Sequence, residues 1–136
     1  NTAGIPDHKK RTLILDINFN EKYFERVIHH ELFHIIQNNF KSIFDEKIWS
    51  NFNDKAFEYA ECSTCSDRLG LDLYDKTNGF LTEYSKSIAS EDMAEVFSFI
   101  MTDKLKIKNI VNKDSILSNK IEFIKNGIIK IENFNL

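Results

Sequence analysis

The sequence predicts an α+β fold, mostly helical with a small antiparallel sheet. Three observations carry that expectation. Residues 12–17 (Thr-Leu-Ile-Leu-Asp-Ile) form one short run dense in β-favouring side chains. Residues 18–38, 90–101 and 114–125 repeat apolar side chains at helical spacing. No other run has the alternation needed for a larger sheet. A chain of 136 residues fits one compact domain, residues 1–136, with a core of ordinary size. Twelve Phe residues predict a core rich in aromatic rings.

Taken in order, Ala3, Gly4 and Ile5 are the candidate hairpin partner of residues 12–17, across a polar turn at residues 6–10. Asn18 is a candidate helix cap, with Glu21 at the capping-box position. The helix that follows runs to about Asn38, with Phe24, Ile28, Leu32 and Ile35 as its apolar face. Tyr23, Val27, His30 and His34 form a separate stripe beside it. Residues 45–52, around Trp49, read as a short helix or turn. Residues 53–90 have weak periodicity and read as loop, with a short extended piece at residues 80–84. A clearer helix begins near Ser90 and places Met93, Val96, Phe97, Ile100 and Met101 on one side. The last amphipathic helix uses Ile116, Leu117, Ile121 and Ile124, and Gly127 is its candidate stop. The lysines between Lys104 and Lys130 read as a solvated helix face.

Composition excludes several classes. The formal charge of -3 gives no global argument for a nucleic-acid partner. No run is long and apolar enough for a transmembrane segment. The chain begins at Asn1 without an initiator Met, as a processed secreted or cell-envelope bacterial protein would, or a piece of a longer chain. The two cysteines, Cys62 and Cys65, are too few for a four-cysteine zinc site. They read as a local disulfide or free thiols rather than a redox motif, since no βαβ pattern surrounds them.

Chemistry concentrates at His30-Glu31-Leu32-Phe33-His34. Two histidines four apart on a helix project from one side, so both imidazoles can close on one ion. Glu31 is rotated away from that stripe and can take a proton from a water activated by Zn2+. His29 is on another face and reads as exposed, and His8, in the polar turn, has no evident partner. Catalytic zinc takes three protein ligands and leaves a position for water. No further histidine follows at the spacing of an extended His motif, so the third ligand is a distant carboxylate. Glu91, Asp92 and Glu95 are the candidates, with Glu58 and Glu61 as weaker rivals. Glu91 and Glu95 share a polar stripe with Ser98 and Thr102.

The runs at residues 28–36, 49–59, 79–84 and 91–97 resemble bacterial zinc-binding metallopeptidases of the gluzincin-like kind. They are similar to the catalytic domains of the anthrax lethal factor and Pro-Pro endopeptidase group. The resemblance covers most of the chain, but only the His-Glu pattern and the Glu-Asp-x-Ala-Glu pattern are specific. It implies a zincin-like fold, Glu95 as third zinc ligand and Tyr84 as the tyrosine that stabilises the oxyanion. It also implies that Asp92 fixes a ligand histidine by accepting its other ring N–H. Such domains carry a larger sheet whose edge strand pairs with substrate, so either the sheet is minimal here or upstream strands are missing. The resulting expectation is a zinc-dependent endopeptidase acting on a protein or peptide, with Glu31 as general base. Hydrolysis of a non-peptide amide and a non-catalytic zinc-containing module are the alternatives.

Overall fold

A short hairpin leads the chain. The computed structural model describes residues 3–134. In it β1 (Gly4–Asp7) and β2 (Thr12–Leu15) pair antiparallel, with Gly4 opposite Leu15 and Asp7 opposite Thr12. The Asp16 amide donates to the Ala3 carbonyl, 3.0 Å. Hydrogen-bonded pairs alternate along an antiparallel ladder, so Ile5 and Asp7 bond across it while Gly4 and Pro6 face the free edge. Pro6 therefore stands where a missing N–H costs no ladder bond. The two strands agree with the expected small sheet.

The helix α1 (Glu21–Asn39) is capped by Asn20, two residues later than the predicted cap. The Asn18 amide is taken by Asp16 Oδ1, 2.9 Å, and Asn20 Oδ1 accepts the Lys22 amide, 3.0 Å. The buried side of α1 matches the predicted apolar face only in part. Ile35 is buried and Phe24 and Ile28 are half-buried, but Leu32 is exposed, and His30, Phe33 and Gln37 are buried as well. His29 is half-buried with its ring 6.5 Å from that of Phe97, not exposed as expected.

Next come α2 (Glu46–Ser50), capped by Asp45, and a long stretch with little regular structure. No strand forms at residues 80–84; a 3-10 turn occupies Tyr84–Lys86 instead. The central helix α3 (Ala89–Thr102) packs against α1, α2 and the later helices, which is why every position from Asp92 to Phe99 is buried. The Glu91, Glu95 and Ser98 stripe faces α1 rather than solvent. A helix unmarked in the sequence reading, α4 (Lys104–Val111), is capped by Asp103. The last helix, α5 (Ser115–Phe134), continues through Gly127. That glycine is a contact point, not a stop: a Cβ there would lie 2.3 Å from Phe44 Cε1. Phe33 packs between Phe44 and Phe97, with centroids at 5.1 and 5.0 Å, in a core completed by Trp49, Met93, Leu117 and Ile121. No helix among the described residues is long and apolar enough to cross a membrane.

One lysine of the supposed solvated face is wholly buried. Lys120 Nζ donates to Asp92 Oδ2 and to the Gly79 carbonyl, both 2.7 Å. The same Asp92 oxygen accepts from Trp49 Nε1, 2.8 Å, and the Tyr59 hydroxyl, 2.7 Å. This knot ties α2, α3, α5 and the irregular segment together behind the histidines. Breaking a buried pair from one side strands a charge, at about 3–5 kcal/mol. Lys120→Met is therefore expected to lower urea-melt stability by about that amount. The double variant Lys120→Met/Asp92→Asn should lose much less, because no charge is left and the amide oxygen still accepts from Trp49 and Tyr59.

Candidate metal centre

Neighbouring turns of α1 carry His30 and His34, and the first turn of α3 carries Glu91. His30 Nε2 and His34 Nε2 lie 3.2 Å apart. Glu91 Oε2 lies 2.8 Å from the first and 3.1 Å from the second. Tetrahedral zinc with bonds of about 2.0–2.1 Å holds its ligand atoms roughly 3.3 Å apart. The three edges thus have nearly the size a zinc ion requires. The donor set, two imidazole nitrogens and a carboxylate oxygen, has the composition of a catalytic zinc site with one position open. Among the described residues these three form the group able to hold a metal.

Glu95 lies on the other edge of the His30 ring. His30 Nδ1 donates to Glu95 Oε1, 2.9 Å. The Thr82 hydroxyl donates to Glu95 Oε2, 2.8 Å, and Arg26 Nη2 is 3.6 Å from that oxygen. One helical turn separates Glu91 from Glu95, so both face α1, but only Glu91 reaches the side where the two Nε2 atoms meet. Asp92 does not reach a histidine: it points to the far side of α3, into the Lys120 knot. The expectation that it fixes a ligand His is thus corrected, and the reason is rotation, since a residue one step from Glu91 leaves the shared face. The contact expected of Asp92 is made by Glu95.

Glu31 is half-buried beside the histidine pair. The hairpin crosses over it, for a Cβ at Gly4 would lie 2.8 Å from Glu31 Cγ. Burial raises its carboxyl above the usual range, against the pull of His30 and His34. Tyr84 sits at the start of the 3-10 turn with its ring centroid 5.9 Å from that of His30. Burial and then the Glu91 charge push its phenol upward, so it is a proton donor at neutral pH. His8, expected to lack partners, lines a cleft of ≈ 430 Å³ with His34, Gln37, Lys41, Glu46 and Ser90. Sequence reasoning missed Thr82, Arg26 and Gly4. Arg26 had a signal, since it lies four residues before His30 on one helix. Thr82 and Gly4 had none, because their roles depend on tertiary approach.

Without metal the cluster stores a proton. Burial disfavours a charged His30, but its hydrogen bonds to Glu91 and Glu95 outweigh that and push it up to about 10. Glu91, raised by burial, is pulled below the usual carboxylate range by both histidines. An ion bound at Nε2 must displace the His30 proton. Since the metal-free pKa is raised, zinc affinity is expected to climb as pH rises toward it, by about tenfold per unit for this one proton. Competition titrations at pH 6, 7 and 8 check this; a flat profile would contradict it.

A hairpin is laid over a helix pair whose facing turns present two histidines and a carboxylate, a group that could hold a metal ion. Residues 7–132 match the model of a family described as "putative zinc-binding metallo-peptidase", and the chain belongs to that family. Zinc is its metal by that membership. No curated protein and no solved structure matched the chain.

Proposed function

We propose that this chain is a zinc-dependent endopeptidase in which His30, His34 and Glu91 hold the metal and Glu31 is the general base. The observation that carries the reading is the convergence of His30 Nε2, His34 Nε2 and Glu91 Oε2 beside a half-buried glutamate. Glu91 takes the ligand position that the resemblance implies for Glu95. Glu95 keeps His30 turned, with Nδ1–H directed outward and Nε2 free, and Thr82 and Arg26 hold Glu95 in turn.

Zinc, when bound, supplies Lewis acidity that lowers the pKa of water and polarises a carbonyl. Glu31 accepts the proton of the attacking water and delivers it to the leaving amine. Tyr84 remains protonated and donates a hydrogen bond to the oxyanion as charge develops there. The free edge of β1 supports a peptide substrate. Gly4 offers an amide and a carbonyl and Pro6 a carbonyl, all without ladder partners, directly above Glu31, where an extended backbone could pair.

The test is cleavage of a peptide library by zinc-loaded protein, by chelated protein and after zinc is restored. Cleavage lost on chelation and recovered with zinc supports the proposal. Full cleavage by the chelated protein defeats it, and hydrolysis confined to non-peptide amides would replace it.

A further inference from the structure

Tyr84 belongs to the segment with least regular structure, and something must hold it. Its backbone amide donates to the Gly70 carbonyl, 2.9 Å. The Ala60 amide donates to the Ser87 carbonyl, 2.7 Å. Arg68 Nη1 donates to the carbonyls of Glu58, 3.0 Å, and Lys86, 2.6 Å. Residues 58–70 are therefore laced to the turn that carries the phenol. Within that stretch Cys62 and Cys65 form a disulfide of sequence separation 3, with their Cα atoms 5.1 Å apart. The Cys65 amide closes the same turn on the Cys62 carbonyl, 3.3 Å. Cross-links across so short a loop add least to the stability of the whole fold, so the effect of this one is local.

We propose that the Cys62–Cys65 disulfide positions Tyr84. The disulfide fixes the turn, the turn stiffens residues 58–70, and these hold the backbone of the 3-10 turn that carries the phenol. The mechanistic consequence rests on the peptidase reading above, because there Tyr84 acts on the oxyanion. Reduction of the disulfide to two thiols would free the turn while leaving His30, His34 and Glu91, which lie on helices, in place.

The test uses zinc-loaded full chain labelled with 13C at tyrosine Cζ, with the Tyr84 resonance assigned through Tyr84→Phe. In Cys62→Ser/Cys65→Ser this resonance should shift, while bound zinc stays unchanged. For a cleaved peptide, kcat should fall by about three- to tenfold with KM little changed, the scale of one net hydrogen bond. In the Tyr84→Phe background the cysteine replacements should cause no further loss. A Tyr84 resonance that does not move overturns the proposal. So do equal kcat losses with and without the phenol, which would make the disulfide a general brace. If wild type cleaves nothing, the peptidase reading fails, and a shifted resonance still sustains the positioning of Tyr84.

Discussion

Glu31→Gln is expected to retain zinc and lose about 10²–10⁴-fold in kcat, the usual contribution of a positioned general base. The amide has the size of the carboxylate, which matters because β1 passes so close above it that Gly4 has no room for a Cβ. The substitution therefore leaves the packing alone and removes only the capacity to take up a proton. Glu31 is not among the three groups that converge as a metal site, so zinc content should be one per chain in both proteins. Measured side by side, metal content and cleavage separate this role from a structural one. Loss of zinc together with activity would make Glu31 a ligand, and unchanged cleavage would remove it from the mechanism.

Glu91→Gln and Glu95→Gln should both weaken zinc binding, but unequally. In the proposed site Glu95 acts through His30 Nδ1, and partners of that kind are worth about 10–100-fold in affinity. Glu91 would be lost from the ion itself, so its replacement should cost more than that. Glu95→Gln keeps an oxygen that can accept from His30 Nδ1, which places it toward the mild end. Competition with a chromogenic chelator gives both affinities. A larger loss for Glu95→Gln would move the ligand one helical turn along α3.

The fold was legible where side-chain periodicity is strong. The hairpin, α1, α2, α3 and the start of α5 all follow from local pattern, cap and turn chemistry. Residues whose roles are set by contact across the molecule were not legible. Leu32 lies on the apolar face of the helical wheel and Phe33 does not, yet Leu32 is exposed and Phe33 is in the core, because tertiary packing decides which side of α1 is covered. Lys120 looks like a solvated lysine until Asp92, Trp49 and Tyr59 surround it. Gly127 carries the ordinary signal of a helix end, but the close approach of Phe44 gives it another use. At the centre, the spacing of His30 and His34 fixed their shared face. The choice among Glu91, Asp92 and Glu95 depended on the rotation and height of α3 against α1, which spacing within α3 alone does not contain.

Anomalous diffraction at the zinc edge from crystals of the zinc-loaded protein tests the central claim most directly. The account predicts one peak, about 2.0–2.2 Å from His30 Nε2, His34 Nε2 and a Glu91 carboxylate oxygen, with Glu95 still on His30 Nδ1. A peak bonded to Glu95, or one away from the two histidines, would contradict it.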